Sequence, residues 1–291
     1  MNLAFAREVG LVKYFARRFA FLLLYQIPRR VPRLRLPTGS VMNLPCASFF
    51  ARDVYVTRAD VDWGSESIFC RHLDPGGDFL DVGANIGYYS SYVAPLVRRV
   101  FSFDPDPRNH ATLEANVRAL GNVSVQKMAL SSGEGEALLE LGGESSVSKL
   151  TPEPGHAAGR TLAVRATTLD AFAGLQQGLR VTGIKLDTEG HELPILRGGA
   201  GTIRRDQPLI LSELMRWPGQ GGEPEFAELA DFAKTLGYAL FARVQSTGGF
   251  LRAARFRLIR LDSAATFSAH GTKMIFLVPA RLQSAFEAEC G

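Results

Sequence analysis

The chain has 291 residues, 46% of them hydrophobic, which suits one main domain with additions, and no uncharged apolar run is long enough to span a bilayer. Its net charge of +4 is uneven, because residues 1–35 hold eight arginines and lysines against one glutamate, a net +7 that leaves about −3 for the rest. The basic charge is therefore local, and we expect no nucleic-acid-binding surface on the body of the protein.

Residues 1–37 are predicted to form a basic, amphipathic N-terminal extension. Apolar residues recur at helical spacing in residues 3–25, and four arginines follow among prolines that prevent a helix. Such a segment suits a membrane interface with anionic lipids, so residues 3–35 are a predicted peripheral membrane contact. A helix that packs on the main domain or on a partner explains the same pattern equally well.

Residues 38–76 are predicted to form a cover segment on the front of the main domain, which spans residues 77–291. The cover is expected to be rich in β-structure, with strand-like pieces at residues 40–44 and 53–57. A short helix is expected at residues 66–73, directly before a glycine turn.

The most informative stretch is FLDVGANIGYYS, residues 79–90. A short apolar run predicts a buried strand ending near Asp81, and Gly83, Asn85 and Gly87 allow a tight turn into a helix. In a dinucleotide fingerprint the glycines receive a pyrophosphate, but Asp81 would set a negative charge beside a diphosphate. A cationic ligand such as S-adenosylmethionine, with its ammonium and sulfonium, suits the loop better. A structural turn without a ligand is the alternative.

A second predicted strand, residues 99–104, ends in Asp104. This carboxylate follows the glycine turn by about 20 residues, the offset of a ribose-binding acid in a βαβ nucleotide site. Capping of the next helix is the alternative role, and the two roles are compatible. A third strand is predicted at residues 123–127, and Ala129 and Leu130 at its tip are expected to flank an adenine.

An insertion is predicted between the third and fourth main strands. Residues 131–150 hold turn residues and a short alternating piece, and residues 161–168 alternate like an antiparallel strand. Such an insertion would lie over the carboxyl edge of the sheet, where it could close on substrate. A flexible hairpin without a role in the site is the alternative.

The fourth predicted strand, residues 182–187, ends in side chains suited to acid–base chemistry. Asp187, Glu189 and His191 lie together at its end, and a hydroxyl acceptor needs a base that takes its proton. These three residues are the candidate catalytic groups, and imidazole is the side chain whose unperturbed pKa best suits neutral pH.

Other roles for these three residues stay open. Asp187 could orient the methionyl ammonium or the acceptor, Glu189 could balance the charge at the start of the next helix, and His191 could be a surface residue. No metal site is predicted. A divalent ion held by Asp187 and Glu189 is the less favoured alternative, because no further hard ligands accompany these two carboxylates in the sequence.

Strands and helices alternate through the rest of the chain, which predicts a mainly parallel, doubly wound sheet. The expected elements are a helix at 193–204, a strand at 208–213, a helix at 225–236, strands at 238–244 and 273–278, and a basic connection at 252–260.

The motifs together resemble the FkbM-type S-adenosylmethionine-dependent methyltransferases over roughly residues 64–216. The resemblance rests on the segments 79–90, 103–107, 129–131, 168–170, 184–192, 196–200 and 208–213, in the family's order and spacing. One departure is Asp104, where the family prefers glutamate, and either carboxylate can hold a ribose.

The resemblance implies a Rossmann-like class I methyltransferase sheet, α/β, with strand order 3-2-1-4-5-7-6 and the last strand antiparallel. It further implies O-methylation of a hydroxyl on a small molecule, a sugar or glycan, or a secondary metabolite. From the sequence itself, Asp81 and Asp187 end strands that would be neighbours at the switch point of such a sheet, so both would face one crevice.

Two other functions fit parts of the pattern. An NAD(P)-dependent oxidoreductase shares the βαβ cradle and the ribose acid, and a non-catalytic membrane-associated scaffold could keep the fold and dock through its basic N-terminus. Cys46, Cys70 and Cys290 are far apart and lack metal-binding spacing, which predicts a reducing compartment, the cytoplasm, with peripheral contact at the inner face of the membrane. The sequence does not indicate an oligomeric state.

Overall fold

The computed structural model describes residues 6, 8–143, 148–151, 160–214, 221–249, 252–270, 272 and 274–290. The strands in this part of the chain are β1 (Arg33–Arg35), β2 (Val41–Asn43), β3 (Asp78–Val82), β4 (Arg99–Phe103), β5 (Val123–Gln126), β6 (Ala129–Leu130), β7 (Gly135–Leu141), β8 (Lys149–Thr151), β9 (Arg160–Thr167), β10 (Val181–Leu186), β11 (Leu209–Glu213), β12 (Ala239–Gly249), β13 (Arg252–Arg260) and β14 (Met274–Val278).

The α-helices are α1 (Leu11–Phe21), α2 (Phe49–Thr57), α3 (Ser65–Arg71), α4 (Tyr88–Val93), α5 (Pro107–Val117), α6 (Leu169–Leu175), α7 (Glu192–Gly198), α8 (Ala200–Asp206), α9 (Glu223–Thr235), α10 (Ala264–Ala269) and α11 (Ala280–Glu289). A π-helical turn, Leu22–Gln26, extends α1, and a 3₁₀ turn, Ala94–Leu96, extends α4.

The central sheet has the strand order β13-β12-β14-β11-β10-β3-β4-β5. The pairs β3–β4, β4–β5, β3–β10 and β10–β11 are parallel, whereas β14 is antiparallel to both of its neighbours. If β13 is left out and β3, β4, β5, β10, β11, β12 and β14 are numbered 1 to 7, the order is 3-2-1-4-5-7-6. The seventh strand, β14, is the antiparallel one. The predicted doubly wound α/β fold is confirmed, and β3 and β10 meet at its switch point.

The edge strand β13 corrects the prediction of a basic connection at residues 252–260. This segment pairs antiparallel with β12. Its exposed side chains Arg255 and Arg257 alternate with Phe256 and Leu258, and Leu258 is buried. The arginines lie on the solvent side of an edge strand, where charge blocks further pairing.

The cover segment is more helical than predicted. The hairpin β1–β2 forms, but the expected strand at residues 53–57 is wrong, because these residues belong to α2. Ser48 Oγ accepts a hydrogen bond from Ala51 N at 3.1 Å, and Arg58 ends the helix with a φ of 61°. These caps, together with burial of Val54 between the helix and the core, outweigh the local strand preference of the segment.

The predicted single helix at residues 193–204 is broken at Gly199 into α7 and α8. The break gives α8 its own N-terminus, which the Asp170 carboxylate caps through bonds of 3.0 Å from Gly201 N and 2.7 Å from Thr202 N. A β-carbon at Gly199 would lie 2.6 Å from Leu169 Cδ2, so glycine allows the close approach.

The predicted insertion forms a small separate sheet with the order β6-β9-β7-β8. Parts of its loops, residues 144–147 and 152–159, lie outside the described residues. Residues 215–220, between β11 and α9, likewise lie outside the described residues.

Two hydrophobic layers cover the two faces of the central sheet. One layer includes the N-terminal extension, because Tyr14 and Phe21 of α1 are buried and the ring of Phe21 lies 5.2 Å from that of Tyr55. Arg17 Nη1 also donates to Val56 O at 2.6 Å. The extension therefore packs on the main domain along one face. Within the described residues, no helix is both long and apolar enough to cross a bilayer.

Candidate active site

A cavity of about 440 Å³ opens at the carboxyl ends of β3, β4 and β10. Asp81 and Asp104, which end the first two of these strands, both line it. Asp187 and Glu189, which follow β10, line the same cavity. Six of the seven predicted cofactor residues and two of the three predicted catalytic residues line this cavity, and Gly87 and His191 do not.

The glycine loop after β3 is fixed by the backbone of its neighbours. Gly83 has a φ of 83°, and a β-carbon there would lie 1.8 Å from Asp187 O. Gly87 has a φ of 85° and would meet Leu113 Cδ1 at 2.8 Å. Asn85 is also left-handed, with a φ of 51°. The loop can approach β10 and α5 this closely only with glycine at its two tightest positions.

Asp81 is buried beneath the first turn of α4. Its Oδ2 accepts hydrogen bonds from Ser90 N at 2.8 Å and from Ser90 Oγ, which also lies 2.6 Å from Ser102 Oγ. Burial raises the pKa of Asp81 to about 6, although the bonds from Ser90 and the charge of Lys185 favour the ionised form. Asp81 therefore ionises near neutral pH, and a nearby cation would favour its charge.

Asp104 is held by three donors from the protein. Oδ2 accepts from Asn85 N at 2.7 Å and Asn109 Nδ2 at 3.0 Å, and Oδ1 accepts from Asp106 N at 2.8 Å. Burial nevertheless raises the pKa of Asp104 to about 7. A carboxylate has about four lone-pair sites, and three of them are occupied, so Oδ1 can accept one further hydroxyl.

The capping role considered for Asp104 belongs to Asp106. Asp106 Oδ1 accepts from Arg108 N at 2.9 Å, at the start of α5, and its carboxylate forms an ion pair with the Arg108 guanidinium at 2.7 Å. Asp104 is thus not needed as the helix cap.

The predicted adenine-flanking residues lie on the apolar side of the cavity. Ala129 and Leu130 form β6, are buried and line the cavity. Leu139 and Leu150 of the small sheet line it as well, so the insertion contributes to the site wall. Closure of this wall on a substrate stays a prediction.

Lys185 was not among the predicted site residues. It lies in β10, its side chain is only 1% exposed, and its Nζ is 3.0 Å from Asp187 Oδ2. The same Nζ lies 4.8 Å from the centre of the Tyr89 ring. The sequence signal that could have identified Lys185 was a lysine within an apolar strand, because a buried ammonium requires an anionic partner.

Two further carboxyl groups, those of Glu189 and Glu213, lie beside this lysine–aspartate pair. Oxygens of Asp187, Glu189 and Glu213 all lie within 4.8 Å of one another. Glu213 ends β11, the neighbour of β10. Neighbouring parallel strands end at the same edge of the sheet, so the reasoning that identified Asp187 could have identified Glu213 as well. These oxygens could approach a divalent ion, but the cluster already contains the Lys185 ammonium as its counter-charge.

The carboxyl groups of this cluster differ in their pKa values. Burial and the nearby Asp187 raise the pKa of Glu213 well above its usual range, which favours the protonated form that can donate a hydrogen bond to Asp187. Burial also opposes ionisation of Asp187, but Lys185 and that bond hold its pKa below the ordinary value. Burial, then Asp187 and Glu192, raises the pKa of Glu189 to about 7.

His191 lies apart from the other two predicted catalytic residues. It is absent from the cavity lining, and its Nε2 lies 2.9 Å from Ser131 Oγ. Burial lowers its pKa. The loop from Thr188 to Glu192, which carries Glu189 and His191, is held by hydrogen bonds between its two ends. Glu192 Oε1 accepts from Thr188 N at 2.7 Å and from Thr188 Oγ1 at 2.9 Å.

The cover segment supplies the front of the cavity. Tyr89 OH donates to Asp62 Oδ2 at 2.6 Å, and Glu66 Oε1 accepts from Tyr88 OH at 2.9 Å. Asp62 lines the cavity, as does Phe49 at the start of α2. Sequence reasoning missed these residues, because their place at the site depends on how the cover packs against α4.

The chain is similar to several known methyltransferases. A curated relative, the hexuronic acid methyltransferase AglP of Haloferax volcanii, is 28% identical over 196 residues, covering 61% of this chain and 79% of the relative. The structure of methyltransferase FkbM from Methylobacillus flagellatus KT has a TM-score of 0.45 at 12% identity, covering 92% of this chain and 58% of that one.

A second solved structure, the tRNA (uracil-54, C5)-methyltransferase of Pyrococcus abyssi with S-adenosyl-L-homocysteine, has a TM-score of 0.43 at 14% identity. The match covers 85% of this chain and 44% of that one, so this chain spans less than two thirds of either solved chain. The family model described as the methyltransferase FkbM domain matches residues 81–240, more than half of the chain and the whole predicted site. The chain belongs to the FkbM methyltransferase family.

Proposed function

We propose that the protein is an S-adenosylmethionine-dependent O-methyltransferase that acts on a hydroxyl of a sugar, a glycan or a similar small molecule. The observation that supports this most strongly is the position of Asp81 and Asp104, which end neighbouring strands and line one cavity of about 440 Å³. A cavity of this volume is in the usual range for cofactor sites.

The charge of the cavity favours a cationic cofactor. Among the described residues that line it, eight are acidic and one is basic. The acids are Asp53, Asp62, Asp81, Asp104, Asp106, Asp187, Glu189 and Glu213, and the base is Lys185. An ammonium and a sulfonium are attracted to such a lining, whereas the pyrophosphate of a dinucleotide is repelled.

Different parts of the cavity wall suit different parts of that cofactor. Asp104 would accept a ribose hydroxyl through Oδ1, Asp81 would attract the methionyl ammonium, and Ala129 with Leu130 would cover the adenine. The Gly83 to Gly87 loop would pass beneath the cofactor, since the glycines let the backbone lie against the neighbouring strand.

Glu189 is the best-supported general base. When bound, S-adenosylmethionine supplies an electrophilic methyl carbon, and the protein must hold an acceptor oxygen in line with it. Glu189 lines the cavity and has a pKa of about 7, which suits proton transfer at neutral pH. Asp187, kept ionised by Lys185, would accept a hydrogen bond from the acceptor and orient it.

The front of the cavity suits a polyhydroxylated acceptor. Phe49 is 56% exposed, and the Arg52 guanidinium lies 4.5 Å from its ring centre. An exposed aromatic ring beside carboxylates is a surface on which a sugar can stack and donate hydrogen bonds. The curated relative is named for a hexuronic acid. A uronic acid bears a carboxylate, which Arg52 would attract but which the eight acidic residues that line the cavity would repel. We therefore expect an uncharged sugar as the acceptor.

The test is methyl transfer from S-adenosylmethionine to a panel of neutral sugars, uronic acids and secondary metabolites, followed by mass spectrometry. Transfer adds about 14 Da, the mass of one CH₂ group. A product formed with a neutral sugar supports the proposal. A product formed only with uronic acids contradicts the inferred acceptor charge, and no product with any hydroxyl acceptor favours the scaffold alternative.

A further inference from the structure

The outward side of the N-terminal extension exposes an unusual amount of apolar surface. Eight of the eleven exposed large apolar side chains among the described residues lie between residues 12 and 31. They are Val12, Phe15, Phe19, Leu22, Leu23, Leu24, Ile27 and Val31, with exposed fractions from 40% to 76%. Exposed apolar residues grouped in this way, rather than scattered singly, mark an interaction surface.

The geometry of α1 explains why these residues stay exposed. Val12, Phe15 and Phe19 are spaced three and four residues apart and share one face of the helix. Tyr14 and Phe21 lie on the opposite face and are buried against α2. Because α1 is already anchored through that second face, it cannot turn its outer face inward without breaking the contacts with α2.

The exposed charged side chains of residues 12–35 are all cationic. They are Lys13, Arg29, Arg30, Arg33 and Arg35. No acidic residue occurs in the sequence between Glu8 and Asp53. Apolar and cationic side chains combined on one segment match the boundary between lipid headgroups and acyl chains in an anionic bilayer. A protein partner would have to supply both an apolar patch and a surrounding acidic rim.

We propose that residues 12–35 form a membrane-binding face, at which the protein binds peripherally to bilayers that contain anionic phospholipid. The apolar side chains enter the acyl boundary, and the arginines lie among the headgroup phosphates. Neither step requires a ligand in the cavity, so this binding is independent of the proposed methyl transfer.

The membrane-binding face is one helix away from the cavity. Helix α1 packs on α2 through the rings of Phe21 and Tyr55, and α2 begins at Phe49, which lines the cavity. A protein held at a bilayer through α1 would therefore keep its cavity near the membrane surface.

The test is sedimentation of the full chain with vesicles of phosphatidylcholine, with and without about 30% phosphatidylglycerol. We expect binding to the anionic vesicles at least about tenfold stronger than to neutral ones, and weaker at high salt because screening removes the attraction. Equal binding to both vesicle types would contradict the role of the arginines.

Two variants, each of which replaces exposed apolar side chains by serine, test whether the apolar residues of this face insert into the bilayer. The double variant Phe15→Ser/Phe19→Ser should lose at least about tenfold in vesicle affinity, since it removes two inserted rings. Leu175→Ser is the control, because Leu175 is 80% exposed on α6 and lies outside the membrane-binding face. Both variants change exposed residues, so thermal unfolding should match that of the unmodified protein.

Three outcomes would overturn the proposal. One is unchanged binding of the double variant, and another is equal loss in the Leu175→Ser control. The third is concentration-dependent dimerisation without vesicle binding, abolished in the double variant, which would make this surface an interface between two copies of the chain.

Discussion

Lys185 Nζ lies 3.0 Å from Asp187 Oδ2, and the two residues sit at the end of the same buried strand. Burial by itself would lower the pKa of this lysine, but the charge of Asp187, and then that of Asp62, raises it above the ordinary value. The ammonium is therefore charged at neutral pH and favours the ionised form of Asp187 within a cluster of acids. The site thus contains one fixed ion pair beside groups that titrate near neutral pH.

Lys185→Met should lower the rate of methyl transfer by about 100-fold or more, because Asp187 would lose its counter-charge and become protonated or disordered. The measurement is kcat as a function of pH. Activity of the variant should partly recover at higher pH, where Asp187 ionises again. Lys127→Met is the matched control, since Lys127 is exposed and pairs with Glu114 away from the cavity. Normal kcat in Lys185→Met would exclude the ion pair from the chemistry.

Asp104→Ala should weaken binding of S-adenosylhomocysteine by about 10- to 100-fold, the usual effect of losing hydrogen bonds to a charged group. Calorimetric titration measures this directly. Asp262→Ala serves as the control, because the Asp262 side chain is 68% exposed. A folded Asp104→Ala variant with unchanged affinity would remove Asp104 from the cofactor site.

The pH dependence of kcat/KM for the acceptor, measured at saturating S-adenosylmethionine so that Asp81 and Asp104 are already engaged by the cofactor, should show an acidic limb with an apparent pKa near 7. A general base acts when deprotonated, so activity should rise with pH as Glu189 ionises and level off above its pKa of about 7. Glu189→Gln should lose this limb together with most of the activity. His191→Gln should retain both, because His191 bonds to Ser131 outside the cavity. The reverse pattern would identify His191 as the base.

Asp78 should stabilise the fold in a pH-dependent way. Its carboxylate is fully buried and bonded to Arg98 and Arg99, and although burial opposes ionisation, these bonds lower its pKa to about 2. A depressed pKa gives stability that is complete above the unfolded-state value of about 4 and is lost as pH falls through about 2. Because the arginines are partly exposed, we expect about 1–2 kcal/mol.

Urea unfolding of Asp78→Asn, compared with the unmodified protein at neutral and acidic pH, measures this contribution. The difference in the free energy of unfolding should shrink as the pH approaches 2. Asp74→Asn is the comparison at the surface, where the pair with Arg180 is exposed on both sides and should contribute little. A difference that stays constant with pH would show that Asp78 acts through packing rather than charge.

Gly83→Ala should abolish cofactor binding and destabilise the protein, because its β-carbon would overlap Asp187 O and its φ is left-handed. Gly174→Ala, where a β-carbon meets nothing within 4 Å, should leave binding unchanged and stabilise α6 slightly. Thermal unfolding with and without S-adenosylhomocysteine separates the two effects. Normal ligand-induced stabilisation of Gly83→Ala would contradict the described loop geometry.

The parts of the site that depend on strand ends could be predicted from the sequence. Asp81, Asp104 and Asp187 each follow an apolar run, and the rule that parallel strands end at one sheet edge brought them together. The glycine spacing also predicted the turn, because a tight turn depends only on the local backbone conformation.

The parts that depend on distant packing could not be predicted. Residues 53–57 have strand-forming side chains, but the Ser48 cap and burial against α1 make them helical. Asp62 and Phe49 reach the cavity only because the cover packs on α4, and no local pattern encodes that contact. His191 follows β10 closely in sequence, yet the left-handed Glu189 and the Glu192–Thr188 bonds direct the chain away from the cavity.

The most direct test is a calorimetric titration of the purified protein with S-adenosylmethionine and, separately, with NADH. The acid-lined cavity predicts that the cationic ligand binds with a Kd of about 1–100 μM and that the dinucleotide shows no measurable binding. Preferential binding of NADH, or no heat from S-adenosylmethionine with folded protein, would contradict the account.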